Sequence, residues 1–131
     1  DNPVFYVQYA HARISSLDRR LIESGIELSA PDMSRLDTEE LALAKLAAQF
    51  PRVVEAAAQA REPHRISFYL YDLAAMFHGW WNMGNDDPAR RVIRTDDPQL
   101  TAARLFLARQ IGQIIRNGLA LMGVEALSEM Q

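Results

Sequence analysis

No stretch of this sequence alternates apolar and polar residues at the period of a half-buried strand. Apolar residues instead return every three or four positions between helix start and stop signals, so the chain can bury them only by packing helix on helix. Asn2 is placed to cap a first helix with Pro3 in its first turn, and Val7, Ala10, Ile14, Leu17 and Leu21 then recur up to a stop at Gly25. Residues 26–36 read as a loop. Asp37 and Glu40 form a capping box that opens an Ala/Leu-rich helix ending before Pro51. Pro51 suits the first turn of a third helix that stops before Pro63, and Pro63 starts a fourth running through Trp81. Residues 83–97 are a long connection, after which Asp97-Pro98 opens a fifth helix that reaches Met122 and stops at Gly123. The pattern predicts an all-α fold, a five-helix antiparallel bundle. The fifth helix is apolar on more than one side, which predicts a central position, and Gly112 and Gly118 within it predict close approach of a neighbouring helix.

A length of 131 residues is one domain's worth, enough to build a core without disulfides or metals, and cysteine is absent. That absence removes thiolate chemistry and fits a reducing compartment, so we expect a cytoplasmic protein. The longest stretch without Asp, Glu, Lys or Arg is 73–85, 13 residues, short of the ~20 apolar residues of a membrane span. No basic-then-apolar leader is present, and the sequence enters its first helix directly from Asp1-Asn2-Pro3, which we read as a piece of a longer protein. The net charge of −3 argues against bulk electrostatic capture of nucleic acid, so neither a membrane nor DNA is an expected partner. The charge is uneven, however. Residues 88–116 carry six Arg against two Asp, a basic segment able to contact phosphate, and Arg90, Arg91, Arg94 and Arg109 are its candidate RNA-backbone residues.

Catalytic chemistry finds little to work with. His11, His64 and His78 are not in metal-ligand spacing, and a satisfied structural histidine is the better reading of each. No strand–turn–helix elbow presents a nucleophile, and no glycine-rich loop cradles phosphate. Asp86-Asp87 and Asp96-Asp97 both precede Pro, where capping and turn formation explain them. The aromatic residues say more. Phe68, Tyr69, Tyr71, Phe77, Trp80 and Trp81 crowd one helix, on which Ile66, Leu70, Leu73, Phe77 and Trp81 follow core spacing. Arg65, Tyr69 and Asp72 fall on a different row: a cation for phosphate, a ring for stacking and an acceptor for a base amino group, a set suited to unpaired nucleotides. The alternative is a solvated face with an Arg–Asp pair. Arg109, Gln113 and Arg116, followed by Asn117, make a similar polar stripe on the fifth helix.

Three segments carry a family resemblance. DNPVFYVQYAHARI at 1–14, EPHRISFYLYDLAAMFHGWWN at 62–82 and RLFLARQIGQIIRNGLALMGV at 104–124 together resemble the part of arginyl-tRNA synthetases that follows their catalytic core. The resemblance implies the DALR-type helical anticodon-binding domain of a class I synthetase over 26–131, preceded over 1–25 by a connecting helix from a catalytic domain that lies outside this chain. It implies a parent enzyme that joins arginine to tRNA(Arg) with ATP and Mg²⁺, releasing AMP and pyrophosphate. This piece would bind the tRNA and dock on its own catalytic domain, without cofactor, metal or activity of its own.

By the same resemblance, anticodon contacts fall to Tyr69, Arg116 and Met130, with Arg65, Asp72 and Asn117 beside them. Tyr9, His11 and Arg13 would touch the catalytic domain or the inner corner of the tRNA, or simply complete the bundle. The chain departs from the family in the Gln131 that follows Met130 and in a longer, more charged 83–97 connection. Two rival readings remain: a helical protein–protein interaction module with a groove at Trp80–Trp81, and the related domain of another class I synthetase such as the cysteinyl enzyme, against which the QYAHAR string speaks.

Overall fold

The computed structural model describes residues 2–130, and among these there is no strand. Helix α1 spans Pro3–Ser24, with the Asn2 side chain accepting from the Val4 N–H at 2.9 Å and Gly25 turning into the left-handed region at its end (φ 71°). The connection that follows contains a short 3₁₀ turn, Met33–Arg35, capped by Asp32. Helix α2 spans Thr38–Ala48 and carries the expected capping box, Asp37 accepting from the Glu40 N–H and Glu40 from the Asp37 N–H. Gln49 alone separates it from α3, Phe50–Ala60, which ends on Arg61 in the left-handed conformation (φ 54°).

Helix α4 spans His64–Asp86, more than a turn beyond the expected end at Trp81. The helix continues past Gly84 because the bare glycine lets the returning chain lie against it: a Cβ there would sit 3.0 Å from Arg91 Cγ and 3.2 Å from its Cα. A second 3₁₀ turn, Pro88–Arg90, leads into α5, Pro98–Leu121, whose Asp97 cap accepts from the Leu100 N–H.

Helices α4 and α5 are the centre. α1 packs across both, and α2 and α3 cover the other side of α4. Leu70, Leu73, Phe77, Leu105, Ile111, Ile115 and Leu119 are fully buried, each worth roughly 1.5–3 kcal/mol in removal from water. The glycines of α5 mark close approach as expected. A Cβ on Gly118 would lie 2.7 Å from Leu70 Cδ2, and one on Gly112 3.0 Å from Ile14 Cγ2.

Trp81, expected in the core, is not the buried tryptophan of the pair. Trp80 is buried and Trp81 only partly so, because the Trp80 indole N–H donates to Glu40 Oε2 at 2.9 Å. Arg104, on the buried side of α5, donates to the same oxygen at 2.8 Å and to the carbonyls of Ala89 and Arg91, also at 2.8 Å. One buried carboxylate thus ties α2 to α4, α5 and the 87–92 loop. No buried side-chain polar atom among the described residues lacks a partner.

Candidate nucleic-acid interface

The row Arg65, Tyr69, Asp72 does not form one exposed face. Tyr69 is 6% exposed, and its hydroxyl donates to the carbonyls of Leu46 (2.7 Å) and Ala47 (3.0 Å), capping the C-terminal end of α2. Its ring packs by Phe50, and burial pushes the phenol up to about 12. Here the expected stacking role fails geometrically, since a ring enclosed by α2 and α3 offers no face to a base. Arg65 is exposed but donates to Glu62 at 2.7 Å. Asp72 is exposed and lines a groove of a different make-up.

That groove lies between α1 and α4, lined by Pro3, Tyr6, Ser67, Phe68, Tyr71 and Asp72. Phe68 is 64% exposed, Tyr71 43% and Tyr6 38%, with the Tyr6 and Tyr71 ring centroids 5.2 Å apart. Three open rings beside a carboxylate are what an unpaired base needs for stacking and for an amino-group contact. The signal lay in the helical row His64, Phe68, Tyr71, Ala75, His78 on α4, which is the face turned toward α1.

Beyond the groove the aromatic seam continues. Tyr6 and Tyr9 pack on the His78 ring at 4.5 and 5.3 Å, and the Arg13 guanidinium lies 4.5 Å from the Tyr9 ring and 5.5 Å from that of Trp81. His78 Nε2–H donates to the Tyr6 carbonyl (3.1 Å), leaving Nδ1 to accept from Arg13 Nη1 (3.0 Å). Burial and the adjacent Arg13 cation hold His78 below its usual range, against the pull of the Tyr6 carbonyl.

On the opposite side of α1 the arrangement repeats. His11 is buried, not presented for docking: its Nδ1–H donates to the Leu127 carbonyl at 2.6 Å and its Nε2 accepts from Arg116 Nη1 at 3.0 Å. Gln8 donates to the Glu125 carbonyl at 2.9 Å, so two α1 side chains clasp the tail that follows α5. The polar stripe on α5 exists as expected, held together internally. Arg116 donates to Gln113 at 2.9 Å, Gln113 to Asn117 at 2.9 Å, and Arg109 to Asp18 of α1 at 3.0 Å. Met130 is half-open and lies across α1 beside Tyr9, Arg13, Arg20 and Trp81 rather than with Arg116.

The 83–97 arginines are mostly engaged in holding their own connection. Arg90 pairs with Asp37 and, at 3.4 Å, with Glu39; Arg94 pairs with Asp96 at 2.7 Å. Those ion pairs, read in sequence as a basic field, are locally neutral. Arg91 differs: it is exposed, and its Nε donates only to the Gly84 carbonyl at 3.1 Å.

Comparison with known proteins places this arrangement. The family model of the DALR anticodon binding domain matches residues 7–130, and the chain belongs to that family. An arginine–tRNA ligase of Novosphingobium aromaticivorans is 62% identical over 130 residues, spanning 99% of this chain and 22% of the ligase. One from Parvibaculum lavamentivorans is 53% identical over 138 residues, spanning all of this chain and 24% of the ligase. Among solved structures, the arginyl-tRNA synthetase of Thermus thermophilus superposes with a TM-score of 0.76 at 32% identity, over 95% of this chain and 21% of that one. A structure assigned as an arginyl-tRNA synthetase from Campylobacter jejuni gives 0.80 at 29%, over 98% of this chain and 27% of that one. The chain therefore spans about a quarter of the length of the relatives it matches.

Proposed function

We propose that this chain binds the anticodon arm of tRNA(Arg) as the anticodon-binding part of an arginine–tRNA ligase acting in the cytoplasm. The whole enzyme would join arginine to the tRNA with ATP and Mg²⁺. Among the described residues no group of three His, Asp or Glu side chains is gathered to hold a metal, and no step of that reaction is assigned to this chain. Its partners are the tRNA and the catalytic domain of the same enzyme, led into through residues 1–25, with 26–131 completing the domain. We read the all-helical architecture as a five-helix antiparallel bundle, with α2 and α3 counted apart at Gln49.

The observation that carries the reading is the open groove in which Tyr6, Phe68 and Tyr71 expose their rings beside Asp72. A splayed base stacks there and gives its amino group to the Asp72 carboxylate, while Arg116, Asn117, Arg65 and Met130 contact other edges or phosphates. The stacking role passes from Tyr69 to its exposed neighbours. Phe68→Ala and Tyr71→Ala should each weaken binding by about 1–3 kcal/mol with helicity unchanged. Titration with tRNA(Arg) and with anticodon-substituted copies tests this: a folded chain that treats both alike has no anticodon site.

A further inference from the structure

We propose that His11 is a positioning residue that couples two distant parts of this molecule: it aims the Arg116 guanidinium on α5 only while the tail that follows α5 is seated on α1. The coupling rests on the tRNA reading above, in which Arg116 meets the RNA, and adds a condition to it.

The His11 ring sits between two partners of fixed character. The Leu127 carbonyl can only accept, so Nδ1, 2.6 Å from it, carries a proton. A guanidinium can only donate, so Nε2, 3.0 Å from Arg116 Nη1, is bare. One species satisfies both, the neutral imidazole protonated at Nδ1. Moving that proton to Nε2 sets donor against donor at Arg116 and acceptor against acceptor at Leu127, which breaks both contacts at once. The tail carbonyl therefore selects the ring form that Arg116 needs.

Little else around the ring selects its form. His11 is buried, and the ion pairs of the described residues include one histidine, His64 with Glu62, and not His11. Glu125 and Glu129, the carboxylates of the tail, are exposed, and Arg116 is the charged group that bears on the ring.

The tail is held lightly enough to move by itself. Val124 N–H donates to the Leu119 carbonyl at 2.8 Å, and beyond it no backbone–backbone hydrogen bond secures 125–130 among the described residues. Gln8 and His11 hold the Glu125 and Leu127 carbonyls, and Ala126 packs on the core. A segment with two side-chain bonds and little buried surface opens far more readily than the bundle.

Arg116, for its part, depends on the ring. It is exposed and, unlike Arg109 with Asp18, has no ion pair among the described residues. Its guanidinium folds back over Gly112, where a Cβ would lie 3.6 Å from Nη1. Gln113 holds Nη2 at 2.9 Å but belongs to the same helix, so His11 is the bond that ties the fork to α1. Without that acceptor the side chain regains its rotamer freedom.

The test reads the ring itself by nitrogen NMR at neutral pH. The intact chain should show a protonated Nδ1 and a bare Nε2 at His11. The chain truncated after Gly123 should show a mixture of tautomers, with the Arg116 side-chain signal moving to that of a free guanidinium. His11→Asn keeps an amide near Nδ1 and nothing near Nε2, so it should release Arg116 with the tail in place; His11→Gln, with its amide near Nε2, should restore the Arg116 signal. In binding, His11→Asn and Arg116→Ala should each weaken tRNA(Arg) roughly fivefold, and the double variant no further than Arg116→Ala alone. Additive losses overturn the proposal and spare the anticodon reading, as does a folded truncated chain whose bare Nε2 still bonds Arg116. If truncation unfolds the chain, an Arg116 signal that stays put in His11→Asn overturns it instead. A parent chain that treats cognate and anticodon-substituted tRNA alike sinks the anticodon reading, and the ring signals then decide the coupling alone.

Discussion

Two imidazoles in this molecule serve the same purpose. His11 and His78 each donate to a backbone carbonyl through one nitrogen and accept from an arginine through the other, which fixes the neutral tautomer and aims the guanidinium. Burial is the main reason both titrate below their usual 6.5, with the arginine cation adding to it. The sign follows from the neutral form being the folded one. Stability is full above the unfolded value near 6.5 and is lost as pH falls from there toward the lowered folded values. Urea midpoints should therefore drop between pH 7 and pH 5.5, and His11→Asn should show a shallower drop. Tyr69 shows the opposite sign: a phenol raised to about 12 contributes stability that is present below pH 10 and lost as pH climbs toward 12. Tyr69→Phe removes the cap on the α2 carbonyls at a cost of about 1 kcal/mol. It should leave RNA affinity where it was, and an equal loss of binding would return Tyr69 to the interface.

Among the elements, α2 depends most on a single side chain. Glu40 closes the capping box with one oxygen and accepts from Trp80 and Arg104 with the other, so its carboxylate is fully used although buried. Glu40→Ala strands Arg104 in the interior, and denaturant titration should register a loss of about 3–5 kcal/mol. The sequence showed the cap, because Asp37 and Glu40 are local neighbours. It did not show the buried pair, since Arg104 lies 64 positions away and read as part of a basic segment. The length of α4 was hidden in the same way: 83–97 reads as a connection until the packing of Arg91 against Gly84 is known.

At the scale of the whole molecule, residues 124–127 are part of the fold rather than an appendage. Val124 and Ala126 pack on the core, and the carbonyls of Glu125 and Leu127 are held by Gln8 and His11 at the other end of the chain. Truncation after Gly123 should cost about 2 kcal/mol, given those two bonds and the apolar area uncovered. Thermal unfolding of the truncated chain measures it, and a melting point equal to that of the parent would show the clasp to be idle. Because His11 bonds both the tail and Arg116, the same truncation also loosens the polar stripe of α5.

Helical class and the caps that open α1, α2 and α5 are properties of near neighbours and of period, and the order of residues settles them; the end of α4 and the side chains that meet Gly112 and Gly118 are long-range facts. Which side chains face an RNA is not settled by that order either. The row of Arg65, Tyr69 and Asp72 is correct as a spacing, yet α2 and α3 close over its ring and leave Phe68 and Tyr71, one and two positions away, in the open. A helix turns through about 100° per residue, so the neighbour that lands on a given row decides which residue is core and which is surface. The partners of the arginines are likewise long-range facts. Only the packed bundle separates cations that staple loops from those left without a carboxylate partner.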